Sequence, residues 1–416
     1  MEFTERYAFV DKLEKVAGRI HALFDVVDLR SLEAALLLEP AQWRDVLARL
    51  VSTPAFILDL VIESTGRDEG LALALRRMRE DRWCKVRLGP SGAGTPALRY
   101  KRPADTECDE VGLIGVSGLG DGERKAGRAL ARAYSLDRFQ EASAADLKAA
   151  LCVDTGSPRL GVYHVGQGSC NALIGVGEHP ALYFDFGGGC YRNTSTFPTN
   201  MRFCLMDSPL IVLSHWDFDH WVAADKFPQA QSMTWVVPKQ KLGPHHYQLA
   251  ERIGKQGKLL VWGDSGPAMI QTPYGVFTRA SGKGRNHSGI VLRVDIKIDG
   301  EETPRSVLMP GDAAYRHIAP GQLGGLSYLV ASHHGGNHRG DKPPTASVPG
   351  AVVYSFGSGN SCGHPHPRSL KRHQDAGWNS RFDTPQGHVL LGSQDPVAGV
   401  PACGGTDCDL QPKQFA

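Results

Sequence analysis

Apolar residues change their spacing along this chain near residue 158. Before it, Phe9, Val10, Leu13, Val16, Ile20 and Leu23 recur at helical intervals between Thr4 and Phe24, which places them on one face of a helix. Further helices are expected over 30–49, capped by Asp28 or Ser31, over 54–64, over 68–81 and over 121–134, where Ala and Arg dominate. Residues 88–105 are rich in Gly, Pro and basic side chains and read as a loop or short hairpin. Beyond residue 158 the apolar runs are short. Those at 209–213, 307–309, 326–331 and 351–354 lead towards clusters of polar residues, as strands do when they end at one edge of a sheet sandwich. The expected organisation is a mainly helical region over 1–157, a strand-rich domain over 158–395 and an irregular tail over 396–416.

The polar burst after Leu213 carries the chemistry. His215, Asp217, Asp219 and His220 fall within six residues, and two imidazoles with two carboxylates converge readily on one or two metal ions. Four ionisable groups crowded onto one loop are costly without a cation. The plainer reading is a solvated acidic loop that happens to hold two histidines. The other histidines favour the metal: of 16 in the chain, only His21 precedes His164. His287, Asp312, His333, His334, His364 and His366 follow in order, the last five after short apolar runs.

The order His-x-Asp-x-Asp-His, Asn-His-Ser-Gly, Gly-Asp-Ala and His-His-Gly resembles the metallo-β-lactamase superfamily. With Asp217 where most members carry His, it resembles the ComEC branch in particular. Val165-Gly-Gln-Gly168, Phe184-Asp-Phe-Gly-Gly188, Gly363-His-Pro-His-Pro367 and Arg381-Phe-Asp-Thr-Pro-Gln-Gly387 are similar to that branch as well. The likeness covers about residues 158–391. It implies an α/β fold, an αββα sandwich, over 158–395 behind the helical N-terminal region. It also implies two divalent ions, Mn or Zn with Mg possible, and a metal-bridging hydroxide as nucleophile. His215, Asp217 and His287 would hold one ion. Asp219, His220 and a histidine of the pair His333–His334 would hold the other, with His334 favoured because it directly precedes a Gly. Asp312 would bridge, and Asp185 would support the loop from behind. His364 and His366 stay open between metal ligand, phosphate contact, general acid and a rigid Pro-flanked turn. Trp216, Phe218 and Trp221 either line a cleft or pack the loop onto the core. His245 and His246 match no motif and read as surface residues.

Composition narrows the role. Net charge is +2, so nothing draws the whole chain to nucleic acid, and a nuclease needs a local basic patch. Arg76, Arg77, Arg79, Arg82, Lys85, Arg87, Arg99, Lys101 and Arg102 are either such a patch or a solvated face. Gly115–Gly122 has the glycines of a phosphate loop without its Gly-Lys-Ser/Thr ending. No apolar run approaches the ~20 residues that span a bilayer, so the uptake role of the ComEC branch does not transfer. No signal peptide is recognisable, and 9 scattered cysteines fit reduced thiols and a cytoplasmic location. These readings lead to a metal-dependent hydrolase, a phosphodiesterase or nuclease cleaving DNA. The region 1–157 would restrain it, direct it or hold a protein partner, as in bacterial defence. The alternatives are a small-molecule hydrolase acting on cyclic nucleotides, phosphocholine esters or a lactam, and an inert regulatory binding protein.

Overall fold

The structure is a computed structural model that describes residues 3–16, 18–27, 50–175, 179–298, 300–392 and 397–398. The chain divides into two compact units. The first is residues 1–139 with 241–252, and the second is residues 140–240 with 253–416.

The first unit overturns the expected helical region. Six strands, β1 (Thr4–Val16), β2 (Arg19–Val27), β3 (Ala55–Glu63), β4 (Arg82–Gly89), β5 (Thr95–Tyr100) and β6 (Asp109–Gly118), close into a barrel in the order β1-β2-β3-β5-β6-β4. The segments expected as helices over 4–24 and 54–64 are therefore strands. The physical reason is double-sided burial. Ala8, Val10, Ala22, Phe24, Leu58 and Leu60 fill the interior, while the alternate positions Tyr7, Phe9, Asp11, Asp25, Ile57 and Asp59 are buried too. A strand covered on both faces loses its period-2 signature. A register shift between Val10 and Lys12 disturbs the phase further. The helices expected over 68–81 and 121–134 do form, as Glu69–Arg77 and Arg124–Ala133. The helix expected over 30–49 lies outside the described residues, as does the tail over 396–416 apart from Val397–Ala398.

His245 and His246 are not surface residues. They sit in the helix Pro244–Gly254 and are buried. His245 Nδ1 lies 2.7 Å from Asp25, whose other oxygen accepts from the His245 backbone N–H at 2.8 Å. His246 Nε2 lies 2.7 Å from Asp11. Buried carboxylates need such partners, and these two fasten the inserted segment 241–252 to the barrel strands.

The second unit holds two mixed sheets. The first sheet runs β12 (Leu259–Trp262), β11 (Trp235–Pro238), β10 (Leu210–Val212), β9 (Pro180–Phe186), β8 (Cys170–Ile174), β7 (Arg159–Val162), β20 (Val389–Leu391) and β21 (Val397–Ala398). The second runs in chain order through β13 (Met269–Thr272), β14 (Gly275–Arg279), β15 (Ile290–Ile296), β16 (Arg305–Met309), β17 (Leu326–Val330), β18 (Ala346–Tyr354) and β19 (Ser380–Asp383). One core joins them: Val162, Leu182, Phe184 and Val212 from the first sheet meet Phe277, Leu292, Val307 and Val353 from the second. The expected αββα sandwich is not what the chain forms, because strand outweighs helix. Most segments that leave these strands, such as Tyr191–Thr196, Phe218–His220 and Tyr315–His317, stop as short 3-10 turns. With 48 Gly and 26 Pro in the chain, few connections extend past one or two helical turns.

His373, on the helix Pro367–Asp375, lies between Tyr315 and Tyr354. Its Nδ1–H donates to the Ser369 carbonyl at 3.0 Å, and Nε2 accepts from the Tyr315 hydroxyl at 2.9 Å. Burial pushes the imidazole down to about 4, against ~6.5 when unfolded. The unfolded chain therefore binds this proton first. The stability from keeping His373 neutral is complete above about pH 6.5 and is lost as pH falls towards 4. In His373→Asn, the stability difference between pH 7 and pH 4.5, read by urea unfolding, should shrink by about 2 kcal/mol. An unchanged pH profile would show that another group sets it.

Candidate metal centre

The ends of strands from both sheets bring the ionisable residues together. The stretch after β10 carries Ser214, His215, Asp217, Asp219 and His220; the stretch after β16 carries Asp312; the stretch after β17 carries His333 and His334. All are buried except His333, which is partly exposed. Asp219, His220 and His334 form one group of close donor atoms, and His215, His220 and Asp312 form another. Asp312 faces both. Its Oδ1 lies 3.1 Å from His220 Nε2 and 3.7 Å from His334 Nε2, and its Oδ2 lies 3.6 Å from His333 Nε2 and 3.7 Å from His215 Nε2. His334 Nε2 stands 3.3 Å from Asp219, and His215 Nε2 stands 3.5 Å from Asp217.

Two observations fit these groups to cations. First, Nε2 of His215, His220 and His334 and Oδ1 of Asp312 are buried without a hydrogen-bond partner, which is costly unless another species completes them. Their spacing suits that: ligand atoms about 2.1 Å from one tetrahedral cation stand about 3.4 Å apart. Second, the imidazoles are turned the right way. His334 Nδ1–H donates to the Ser355 carbonyl at 2.9 Å, and His220 Nδ1–H donates to Asp185 at 2.8 Å. Ser214 gives its hydroxyl hydrogen to Asp185 at 2.9 Å and accepts from His215 Nδ1–H at 3.0 Å. Each Nδ1 is thereby committed and each Nε2 faces the centre; on His220, whose charged form Asp312 and Asp185 favour, a cation would take the place of the Nε2 proton. Asp185 also accepts from the Ser214 backbone N–H at 2.7 Å, so one buried carboxylate orients the loop.

The backbone is bent to serve this arrangement. Asp185, His333 and His334 take left-handed φ values of 64°, 52° and 55°, conformations that cost non-glycine residues about 1–3 kcal/mol each and gather at functional sites. The Val-Gly-Gln-Gly turn and the Gly-Gly pair after β9 hold the ligand loop directly. The Asp219 carbonyl accepts from Ser169 N–H at 3.0 Å and from Gly188 N–H at 3.1 Å. A Cβ on Gly187 would stand 1.9 Å from that carbonyl oxygen.

Charge follows the geometry. Burial raises the Asp312 carboxyl, but His220, His333, His334 and His215 outweigh it and hold the group well below the usual range. Burial likewise raises Asp217, but Arg285 and then His215 hold it well below that range. Burial opposes a charge on His220, yet Asp312 and Asp185 drive its pKa well above the usual value.

The remaining sequence candidates fall at different places. His287 is outside both donor groups; its ring packs 4.9 Å from His317 and 5.2 Å from His338. Burial pushes it down to about 4, with His338 and His317 adding to the shift. His364 is buried beside the centre, with its ring 5.1 Å from His333. Gln167 donates to its Nδ1 at 3.3 Å. His366 caps the helix Pro367–Asp375 and accepts from the Arg368 N–H. Trp216, Phe218 and Trp221 are buried and pack the ligand loop onto the core. Of the basic residues before the second unit, Lys85 pairs with Glu123 and Glu5, Arg99 with Asp109, and Arg102 with Asp105. Two residues at the centre escaped the sequence reading, Arg285 and Ser214. Arg285 is the cation two residues before His287, and that spacing was the signal available.

No helix among the described residues is long and apolar enough to cross a membrane. No protein-family model matches the chain, and no curated protein matches it. Among solved structures, it is similar to MEM-A1, a subclass B3 metallo-β-lactamase isolated from a soil metagenome library, at 13% identity. That match covers 44% of this chain and 82% of MEM-A1, with a TM-score of 0.28. It is also similar to the metallo-β-lactamase MIM-1 from Novosphingobium pentaromativorans at 13% identity, over 43% of this chain and 77% of MIM-1, with a TM-score of 0.24. Likenesses this weak assign neither a fold nor an activity to the chain.

Proposed function

We propose that the second unit is a metal-dependent hydrolase whose substrate is a phosphodiester, with DNA as the substrate class. The observation that carries this reading is the trio of buried Nε2 atoms of His215, His220 and His334 around Asp312, each with its Nδ1 already committed to a hydrogen bond. Divalent ions bound there would acidify water and neutralise charge on phosphate oxygens. Asp217, Asp219 and Asp312 make the ligand set rich in oxygen, which suits Mn²⁺ or Mg²⁺ as well as Zn²⁺. Asp312 presents one oxygen to each donor group and so fixes their separation. Accepting from Gln167 at Nδ1 leaves the His364 proton on Nε2, where it is placed to protonate a leaving oxygen. His287, pushed down to about 4, stays neutral at pH 7, and with Nδ1 accepting from the Ala314 N–H at 3.4 Å its Nε2–H can donate a hydrogen bond to a substrate oxygen. In the first unit, Lys125, Arg128 and Arg132 are exposed along one helix, which supports binding to a phosphate backbone.

The test is cleavage by metal-stripped, full-length protein reloaded with Mn²⁺, Mg²⁺ or Zn²⁺. Linear, circular and single-stranded DNA, RNA and cyclic nucleotides would be compared, each beside Asp312→Asn. Metal-dependent DNA cleavage that the variant lacks is the expected result. Turnover of small phosphodiesters alone would replace DNA with a small-molecule substrate. Bound metal without turnover of any of them would leave a binding protein.

A further inference from the structure

Three loops of the second sheet share one end with Asp312. Strand β15 starts where its antiparallel neighbour β16 ends, and β17 runs parallel to β16, so residues 281–289, 313–319 and 335–346 gather there. Their charge is uneven. Lys283, Arg316, Arg339 and Lys342 are exposed, while the one acid in these three segments, Asp341, is buried. In a chain whose net charge is only +2, such a gathering makes a local field of one sign.

Four half-buried imidazoles connect these cations to the centre. His333 Nε2 is 3.6 Å from Asp312, and its ring lies 5.0 Å from that of His338. The His338 ring lies 5.2 Å from His287, which lies 4.9 Å from His317. The backbone is fitted to this row. Ser281 N–H donates to the His317 carbonyl at 2.8 Å, and Gly282 N–H donates to the His287 carbonyl at 2.7 Å. A Cβ on Gly282 would stand 2.5 Å from His287 Cβ and 2.8 Å from His317 Cγ, so a larger residue would drive the two rings apart. His338 Nε2 lies 3.3 Å from Ser332 Oγ, and Arg372 donates to the His338 carbonyl at 2.7 Å. Arg316 Nη1 donates to the Arg339 carbonyl at 3.3 Å and lies 3.7 Å from Asp341. Burial lowers the pKa of His287 and His338, and the charge of Arg316 adds to the lowering of both, as it must when the guanidinium stands near these rings.

We infer that these loops form a subsite for a second phosphate of the substrate, beside the one that meets the donor groups. Arg316 and the Nε2–H of His287 contact that phosphate, because a guanidinium fork and an imidazole N–H both donate to phosphate oxygens. Lys283, Arg339 and Lys342 attract the strand beyond it. His317 and His338 are positioning residues that hold the His287 ring. A cyclic nucleotide has one phosphodiester and leaves the subsite unfilled, whereas a polynucleotide fills it. The inference rests on the hydrolase reading above and names how that site would select a strand over a small diester.

The experiment is fluorescence anisotropy of a fluorescein-labelled oligothymidylate with metal-stripped, full-length protein over a range of NaCl concentrations. Wild type should bind, and Arg316→Gln should bind about tenfold more weakly. Its slope of log affinity against log salt should fall by about 0.7, the share of one phosphate contact on a single strand. Lys283→Gln, an exposed substitution that keeps the test open if Arg316→Gln does not fold, should lower the slope as well. Lys258→Gln, which removes an exposed cation before β12 of the first sheet, should leave the slope unchanged. His287→Gln should weaken oligonucleotide binding while keeping the zinc count of wild type, read by mass spectrometry after dialysis. No binding by wild type, or equal losses in Lys258→Gln and Arg316→Gln, would overturn the subsite. Loss of zinc in His287→Gln would make His287 a metal ligand and remove it from the subsite. The hydrolase reading is judged separately, by zinc-dependent turnover of cyclic nucleotides and DNA, so either can fail without the other.

Discussion

Asp312→Asn should lose nearly all metal-dependent turnover, on the order of a thousandfold or more. Asp312 faces four imidazoles, two through each oxygen. The amide is nearly the same size but carries no charge, and one of its two ends becomes a donor that cannot bind a cation. The loss therefore falls on both donor groups at once. Stability provides a second readout. An ion present at 1,000 times its Kd stabilises the native state by about 4 kcal/mol. Wild type should gain that much in a thermal scan with added Zn²⁺, and Asp312→Asn should gain almost none. The metal-free variant should melt below metal-free wild type, since buried His220 loses one of the two carboxylates that hold its charge, so the readout is the gain that zinc gives each protein. A variant that still binds two ions and turns over substrate would remove Asp312 from the centre.

Gly187→Ala should be nearly as damaging through a different cause. Its new methyl would lie 1.9 Å from the Asp219 carbonyl oxygen and 2.6 Å from His220 Cα. Both neighbours are backbone of the ligand loop, so they cannot swing aside as a flexible side chain would. Relief requires the loop to move, which breaks the hydrogen bonds from Ser169 and Gly188 to that carbonyl. Overpacking of this kind costs about 1–3 kcal/mol of stability. Displacing Asp219 and His220 should weaken the ion they would hold on the order of a hundredfold. The check is the metal-free melting temperature together with a Zn²⁺ titration of metal-stripped protein against a competing chelator. Unchanged zinc affinity would mean that the loop position tolerates the shift.

The distribution of ionisable residues was legible because ligand chemistry is local. His215, Asp217, Asp219 and His220 lie within six residues, and short apolar runs before Asp312 and His333 marked strands ending near one another. The supporting role of Asp185 was expected from the resemblance of Phe184-Asp-Phe-Gly-Gly188 to a family motif, and Asp185 does accept from Ser214 and His220. The barrel was not. In β1 and β2 both faces are covered, so apolar residues run on without alternation and imitate a helical repeat. His245 and His246 were misplaced for a related reason. Their partners Asp25 and Asp11 lie more than two hundred residues away, and no local pattern marks a pair that only folding creates.

The sequence by itself determined which side chains are available for chemistry, and where the chain must turn tightly, because those follow from residue type and short-range spacing. The tertiary structure alone decided three things: that the N-terminal strands close into a barrel, that His333 rather than His287 faces Asp312, and that Arg285 sits on Asp217. Each depends on contacts between distant segments, whose free energy comes from burial and charge pairing in the folded state.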